Sequence, residues 1–467
     1  MKKDIPEGGI IGQILEGYEA YLEPGLSHRR ISHKTVCQKI RALENEPHVK
    51  VRLAGQSLEK KPVYQLTLGS GPVQVLMWSQ MHGNEPTATM ALFDLLKFLM
   101  VSDNFQPVRS AILERLTLHL VPVLNPDGAE RFQRWNAAGI DLNRDAQMLE
   151  SPESRILKHL TDEIQPQYAF NLHDQSTRYS VGNTRKHTMI AFLAPPADEA
   201  RSISQGREKS MKLIAHLYSC LAEIIPGHVA AYSDEFEPRA FGDNIQKWGH
   251  STVLIESGGE KNDREKQGLR RLNMAMYAEA LYSIARGMFL DRSLDTYHSI
   301  PPNTSHIFDI VLRNVRVQIA GEEVRMDVGI NREEMPDPHS EGFLTKGILA
   351  ESGDLSLFFG YEELDAGGAL MTPGKVAPGM RSAKSPSFVR ETEYLLRQGY
   401  TAVQIMEEKV PYEIRVQVPL RILTSGETCT YGLMPGTEAD VLVWKSSELF
   451  CAVIKGELIR FGYDTTE

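Results

Sequence analysis

His82 and Glu85 are the first residues in this sequence whose types and spacing could do chemistry. They lie in the segment SQMHGNEPTATM (79–90), but with 14 histidines about one His-x-x-Glu pair is expected by chance. The apolar run VQVLMW (73–78) ends just before the pair, and Pro86 favours a helix that begins just after it. Ligand sites of α/β sheets gather where strands end. We therefore expect both side chains at a strand end, where they could bind one metal ion.

Two further side chains that could take part in chemistry lie at the ends of apolar runs. YAFNLH (168–173) ends in His173, and STVLIE (251–256) ends in Glu256. A carboxylate at the end of a buried strand costs several kcal/mol unless it is paired or neutralised. Glu256 is therefore either a functional group or a salt-bridged or capping residue. Two histidines and one carboxylate, with a fourth position left to water, form the ligand pattern of catalytic zinc, whereas structural zinc takes four protein ligands.

The elements that must position these residues alternate between strands and helices. Segments such as 88–100 and 208–225 have apolar residues at helical spacing. Further strand candidates are VYQLTL (63–68), LTLHLVPVL (116–124) and MIAFLA (189–194). This alternation predicts an α/β fold with a mixed, mostly parallel sheet covered by helices on both faces.

The chain is long enough for two domains. Its 467 residues exceed what one ordinary core takes. The polar, proline-containing stretch DTYHSIPPNTSH (295–306) marks a change in texture, because short strands separated by Gly and Pro turns follow it. We predict a catalytic α/β domain over residues 1–298 and a mainly β accessory domain over residues 299–467.

Composition excludes some classes of partner. The 51 basic and 61 acidic side chains give a net charge of −10 without a long basic run, so we expect neither nucleic acid nor a membrane as a partner. The four cysteines are far apart and form no CxxC pair, which is typical of thiols in a reducing compartment. The first residues contain no apolar segment of a signal peptide. Together these features predict a cytoplasmic protein.

Five motifs in order carry a family resemblance. The series HGNE, NPDG, DLNRD, NLHD and LIESGG resembles the carboxypeptidase A-like zinc metallopeptidases over roughly residues 30–290. Some bacterial members of that family trim peptides or peptidoglycan fragments. The resemblance implies one zinc ion per chain and a peptide substrate.

The resemblance also implies roles for individual residues. The zinc ligands would be His82, Glu85 and His173, with Glu256 as the base that takes a proton from water. Asn143 and Arg144 would bind the terminal carboxylate of the substrate. Arg134 fits the arginine that polarises the scissile carbonyl better than Arg131 does, and Tyr232 is the candidate for a tyrosine that covers the substrate.

Two positions leave alternatives open. Several relatives have NRN where this chain has Asn143-Arg144-Asp145. The acidic Asp145 could weaken carboxylate binding or could bind a positively charged substrate group. Tyr232 lies in a segment, YSDEFEPRAFGDN, that matches no family motif firmly, so it could also be a plain loop or core tyrosine.

The second domain resembles another family. The segments at 308–330, 363–374 and 436–462 are similar to the β-sandwich of amidohydrolases. In complete amidohydrolases a metal-binding barrel with an HxH motif follows the PG turn, but residues 300–467 contain only two histidines, His306 and His339. We therefore expect a sandwich without its barrel, which has a structural, docking or dimerising role, so that the protein could form a homo-oligomer through it.

Three functions compete at this point. The first is a zinc metallocarboxypeptidase that hydrolyses the C-terminal bond of a peptide or cell-wall peptide. The second is a zinc-dependent deacylase of N-acyl amino acids, similar to succinylglutamate desuccinylase and aspartoacylase. The third is a non-catalytic binding protein that keeps the fold. NPDG and the long region after His173 favour the peptidase.

Overall fold

The structure is a computed structural model that describes residues 9–429 and 431–461. The chain forms two compact units, which divide between Ser305 and His306. The division predicted from the sequence lies between residues 298 and 299. Among the described residues, no helix is both long enough and apolar enough to span a membrane.

The first unit contains an eight-stranded sheet and a separate two-stranded one. Its strands are β1 (Lys50–Gln56), β2 (Pro62–Leu68), β3 (Val73–Trp78), β4 (Leu116–Val121), β5 (Tyr168–Asp174), β6 (Ser180–Val181), β7 (Ile190–Leu193), β8 (Val229–Ala231), β9 (Ser251–Ser257) and β10 (Asn303–Thr304).

Helices surround this sheet. They are α1 (Ile11–Glu16), α2 (His33–Leu43), α3 (Thr87–Met100), α4 (Gln106–Arg115), α5 (Pro126–Arg131), α6 (Pro152–Ile164), α7 (Gln205–Ile224), α8 (Phe241–Lys247), α9 (Gln267–Arg286) and α10 (Leu294–His298), with short 3₁₀ turns at Tyr18–Ala20 and Leu142–Arg144.

The large sheet has the strand order β1-β2-β4-β3-β5-β9-β7-β8. Its centre is parallel, because β3 pairs with β4 and β5, and β5 pairs with β9, in parallel register. The pairs β1/β2, β2/β4 and β7/β9 are antiparallel. The carboxyl ends of β3, β5 and β9 therefore lie side by side at one edge of the sheet, where ligand sites of α/β proteins gather.

Both faces of the sheet are buried in apolar cores. Along β3, Val75 and Met77 belong to a large cluster with residues of α3, α7 and α9, whereas Leu76 and Trp78 belong to a second cluster with residues of α6 and α8. Successive strand residues point to opposite faces, so this alternation follows from the pleat. The predicted fold class, a mixed, mostly parallel sheet with helices on both faces, is confirmed.

The second unit is mainly β, as predicted. Its strands are β11 (Ile307–Ile319), β12 (Glu322–Pro336), β13 (Phe343–Gly353), β14 (Phe359–Asp365), β15 (Leu370–Pro373), β16 (Val376–Arg381), β17 (Ala402–Ile405), β18 (Arg421–Leu423), β19 (Val441–Lys445), β20 (Glu448–Ile454) and β21 (Glu457–Arg460).

An unpredicted element of the second unit follows the PG turn at 373–374. The strands β16, β17 and β18 form a small parallel sheet. The helices α11 (Phe388–Arg397) and α12 (Tyr412–Gln417) connect them. Parallel neighbours require crossover connections, which these helices supply. The remaining strands form a larger sheet around a core that includes Ile310, Val328 and Val441.

Candidate active site

His82, Glu85 and His173 converge at the edge formed by β3 and β5. His82 Nδ1 lies 2.8 Å from Glu85 Oε1, and His173 Nδ1 lies 2.8 Å from Glu85 Oε2. The two Nδ1 atoms are 3.2 Å apart. All three side chains are buried, and they form one of two groups of possible metal ligands among the described residues.

The spacing of the donor atoms on these three side chains fits a zinc ion. Zinc holds nitrogen and oxygen ligands at about 2.0–2.1 Å, so two ligands of a tetrahedral ion lie about 3.3 Å apart. The observed separations of 2.8 and 3.2 Å come close to that value. Two imidazoles and one carboxylate also form a donor set that catalytic zinc uses. The residues therefore fit the metal predicted for them, while their roles as ligands stay predictions.

Asp141 orients His82 from the other side of the imidazole. His82 Nε2 donates to Asp141 Oδ1 at 3.0 Å. A neutral imidazole that carries its proton on Nε2 has its lone pair on Nδ1, the atom that faces Glu85 and His173. Carboxylate–histidine pairs of this kind fix the ligand's tautomer in metal sites. The pKa of Asp141 is held below its usual value because His82 and Arg134 outweigh the effect of burial.

Arg134 lies against the same group of side chains. Its guanidinium contacts Asp141 Oδ2, with Nε at 3.0 Å and Nη2 at 2.9 Å. Nη1 lies 3.2 Å from His82 Nδ1 and 3.5 Å from Glu85 Oε1. Arg131, the weaker sequence candidate, instead contacts Glu59 and the backbone carbonyl of Asp127. The geometry therefore favours Arg134 as the arginine that could bind a carbonyl oxygen.

Glu256 stands beside His173 in the sheet. The two residues are direct partners in the parallel pairing of β5 and β9. Glu256 is 7% exposed, and its Oε2 has no hydrogen-bond partner within the described protein. Burial raises the pKa of Glu256 well above its usual value, and Glu85 raises it further. A carboxyl whose pKa is raised by burial is a stronger base than an exposed one, which suits a group that accepts and later releases a proton.

Asn143 and Arg144 lie in the 3₁₀ turn that Asp141 caps. Asp141 Oδ1 accepts the backbone N–H of Asn143 at 2.9 Å. Asn143 is buried, and its Oδ1 accepts the backbone N–H of Phe241 at 2.9 Å. Arg144 is 39% exposed, and its Nε lies 3.3 Å from Glu237 Oε2. Its partly exposed guanidinium is available to a substrate carboxylate, for which its planar fork is suited.

Asp145 has a structural position that the sequence did not indicate. Its Oδ1 accepts the backbone N–H of Glu150 at 3.0 Å, and its Oδ2 accepts that of Ser151 at 2.8 Å. The side chain is only 4% exposed. Because both carboxylate oxygens bind backbone donors, Asp145 stabilises the loop before α6. This geometry supports neither of the substrate roles considered from the sequence.

Tyr232 follows β8, and its phenol is within electrostatic reach of Glu256. Burial raises the pKa of Tyr232 to about 12, and the charges of Glu256 and Glu85 contribute. Its backbone N–H donates to the carbonyl of Phe192 at 2.8 Å, and the ring packs against Val181. Tyr232 is thus held by the sheet through its backbone, and its phenol is close enough to Glu256 for that charge to raise the pKa of Tyr232.

Two motif glycines are explained by close approaches of backbone. A Cβ on Gly83, in HGNE, would lie 2.0 Å from the carbonyl carbon of Gly128, in NPDG. A Cβ on Gly258, in IESGG, would lie 2.0 Å from the carbonyl oxygen of Thr188. Only glycine allows such contacts. These motifs therefore bring the turns around the site close together, in addition to supplying chemical groups.

A second group of ligand-type side chains, His216, Cys220 and Glu279, lies between α7 and α9. Arg292 Nη2 lies 3.3 Å from His216 Nδ1, and because a guanidinium only donates, Nδ1 accepts. His216 Nε2 therefore carries the proton and donates to Glu279 Oε1 at 2.7 Å. Glu279 Oε2 accepts the backbone N–H of Ile10. With Nε2 protonated, this group is a hydrogen-bond network that anchors the start of α1.

The region around the site is similar to known proteins. The model of the zinc carboxypeptidase family matches residues 36–168, which include His82, Glu85, Arg134 and the Asn143–Arg144 turn. Residues 36–168 are therefore similar to zinc carboxypeptidases. This family binds zinc, in agreement with the donor set described above. His173 and Glu256 lie beyond the matched segment. The parallel pairing of β5 with β3 and with β9 places these two residues next to the strand end that leads to His82 and Glu85.

Individual relatives cover only part of each chain. The protein is 28% identical over 165 residues to carboxypeptidase 2 of Trichophyton rubrum, a match that covers 33% of this chain and 30% of that protein. It is 31% identical over 150 residues to carboxypeptidase D of Rattus norvegicus, which covers 28% of this chain and 11% of that protein. The matched segments thus span less than a third of these curated relatives.

A solved structure is similar over a longer stretch. The metallo-carboxypeptidase from Burkholderia cenocepacia aligns with 56% of this chain and 70% of its own, at 21% identity and a TM-score of 0.46.

Proposed function

We propose that this protein is a zinc-dependent metallocarboxypeptidase that hydrolyses the C-terminal bond of a peptide. The observation that carries the proposal is the convergence of His82, Glu85 and His173 beside the buried Glu256. Zinc bound there would act as a Lewis acid and lower the pKa of water toward 7. The match of residues 36–168 to the model of the zinc carboxypeptidase family supports a peptidase rather than an N-acyl amino acid deacylase.

Glu256 acts as the proton carrier in this proposal. Its buried, unpartnered Oε2 takes a proton from the attacking water and passes it to the leaving amine. The raised pKa of Glu256 helps it to hold that proton between the two steps. The parallel pairing of β5 and β9 places Glu256 next to His173, one of the predicted metal ligands.

Arginines bind the two oxygen-bearing groups of the peptide. Arg134 Nη1, which lies within 3.5 Å of both His82 and Glu85, donates to the scissile carbonyl oxygen as negative charge develops on it. Arg144 binds the terminal carboxylate and so selects chain ends. Glu237 contacts Arg144 at 3.3 Å, so the substrate carboxylate competes with it for the guanidinium. Tyr232, whose phenol is within electrostatic reach of Glu256, covers the substrate in this proposal.

The experiment that tests this function compares three kinds of substrate. The zinc-loaded protein is incubated with a peptide library, with the same peptides amidated at the C-terminus, and with succinyl- and acetyl-amino acids. We expect release of single amino acids from the free-acid peptides only, and no release after zinc is removed by a chelator. Turnover of the acyl amino acids alone would show that the deacylase is the correct reading.

A further inference from the structure

Lys266 is a buried lysine that contacts residues next to the candidate site. It precedes α9, and only 5% of its surface is exposed. Lysine is almost never fully buried unless it is paired. Its backbone is left-handed, with φ of 52°, which is uncommon for a residue with a side chain. The surrounding structure therefore holds Lys266 in a conformation that it would not adopt by itself.

The ammonium of Lys266 contacts the ends of two strands at once. Nζ donates to the backbone carbonyl of Ser257 at 3.1 Å and lies 3.4 Å from Asp174 Oδ2. Asp174 directly follows His173 on β5, and Ser257 directly follows Glu256 on β9. Asp174 and Ser257 are also partners in the parallel register of the two strands. One charged group thus connects the strand that carries a predicted ligand with the strand that carries the predicted base.

Other hydrogen bonds extend this connection to the helices. Thr87 Oγ1, in the first turn of α3, donates to Asp174 Oδ2 at 2.6 Å. The backbone N–H of Asp174 donates to Glu85 Oε2 at 3.2 Å. Asn273 Nδ2, on α9, donates to Ser257 Oγ at 2.6 Å. Lys266 is part of this buried polar network, and its ammonium forms an ion pair with Asp174.

We propose that Lys266 is a positioning residue, which holds the ends of β5 and β9 so that His173 and Glu256 keep their relative geometry. It does not touch the substrate and acts through Asp174 and Ser257. Small displacements of catalytic groups are costly, since a 1 Å misplacement can lower a rate about 100-fold. The inference rests on the proposed carboxypeptidase function, which gives the two strand ends their importance.

The test replaces Lys266 by Met and uses two readouts. In the zinc-loaded enzyme we expect kcat to fall about tenfold or more, with KM changed less than about threefold and zinc content unchanged, because substrate contacts are intact while the geometry of the base is not. In the metal-free protein we expect faster hydrogen exchange at the backbone N–H of Gln175, which donates to the Ser257 carbonyl at 3.0 Å.

Lys39→Met is the matched control. Lys39 Nζ also contacts a carboxylate and a backbone carbonyl, those of Glu23 and Pro24, but it lies on α2. We expect this variant to leave both kcat and the exchange at Gln175 unchanged. If Lys266→Met does not fold, Lys266→Gln replaces it, since glutamine keeps a donor for Ser257 and removes the charge. Lys266→Arg, which retains charge and donors, should restore most of kcat.

The two proposals fail in different ways. A wild-type enzyme that releases no terminal residue overturns the carboxypeptidase function, and the hydrogen exchange of the metal-free variant still tests the strand-end role. An active wild type together with a Lys266→Met variant of equal kcat, or with unchanged exchange at Gln175, overturns the role of Lys266.

Discussion

The Nε2 atom of His82 donates a hydrogen bond of 3.0 Å to Asp141, and Asp141 also contacts both Nε and Nη2 of Arg134. One carboxylate therefore orients a predicted metal ligand and the arginine expected to bind the scissile carbonyl. Asp141 had no predicted role, although it is the first residue of the DLNRD motif. The position of its side chain in the fold makes it a testable part of the site.

We expect Asp141→Asn to weaken zinc binding about 10- to 100-fold, as is typical when the outer partner of a metal-binding histidine is lost. The amide can present its NH₂ group to Nε2 and then no longer favours the tautomer with a free Nδ1. Competition with a chromophoric chelator measures the affinity. Asp162→Asn, which only removes a surface pair with Lys158 on α6, should bind zinc like the wild type.

His173→Ala should lose the metal. The wild-type protein is expected to contain about one zinc per chain by elemental analysis, and the variant close to none, because two protein ligands rarely retain zinc in a site that needs three. His216→Ala, in the second group of ligand-type residues, is the control and should retain one zinc. Loss of zinc from His216→Ala, with zinc retained in His173→Ala, would show that the metal binds at the second cluster instead.

Glu256→Gln should retain zinc and lose activity. Glutamine has nearly the same shape but cannot accept the proton, and general-base catalysis contributes about 10²–10⁴-fold. We expect kcat to fall within that range, as measured by release of free amino acid from a peptide. Glu260→Gln, which changes a partly buried carboxylate four residues later, should keep its activity. A Glu256→Gln variant of normal kcat would contradict the assignment of the base.

The sequence predicted the parts of the site that lie at strand ends. His82, Glu85, His173 and Glu256 each follow a recognisable apolar run, and parallel strands bring their ends to one edge. Lys266 was not predicted, because it lies in the polar segment GGEKNDREK, where no periodicity indicates burial. Asp145 was considered as a substrate group, but its role as a loop cap depends on backbone donors that only the folded chain brings to it.

In the fold, too, the elements with a clear local pattern were predicted, and an element that depends on distant contacts was not. The apolar pattern of the first unit predicted its sheet with helices on both faces, because buried parallel strands have continuous apolar runs. In the second unit, β16 was not predicted as a strand, since it contains Pro378 and Gly379. Its pairing with β17 is interrupted by a register shift between Ala377 and Met380, which accommodates these residues. The pairing of β16 with β17, and not the local sequence pattern, therefore determines that residues 376–381 form a strand.

Arg144→Met should weaken the binding of peptides with a free C-terminus. A hydrogen bond to a charged group contributes about 1.5–3 kcal/mol, so kcat/KM should fall about 10- to 150-fold. C-terminally amidated peptides lack the carboxylate, and their slow cleavage, if measurable, should not change. An equal loss for both kinds of substrate would indicate that Arg144 stabilises the fold rather than the substrate. Circular dichroism of the variant checks that possibility independently.

Asp243 provides a prediction about pH and stability. Burial raises the pKa of Asp243 from 3.8 to about 6, and its Oδ1 accepts the backbone N–H of Glu237. The folded state therefore binds the proton more tightly than the unfolded state does. The resulting stabilisation is fully present below about pH 4 and is lost as pH rises through 6. The difference of about two pKa units corresponds to about 3 kcal/mol in the free energy of unfolding.

Asp243→Asn removes this titration. Asparagine cannot ionise, and its side-chain oxygen can still accept the N–H of Glu237. Between pH 4 and pH 7 the wild type should therefore lose about 3 kcal/mol in the free energy of unfolding that the variant does not lose. Urea unfolding at both pH values measures the difference, with the exposed Asp162→Asn as control. A stability difference between wild type and Asp243→Asn that does not change with pH would contradict the raised pKa of Asp243.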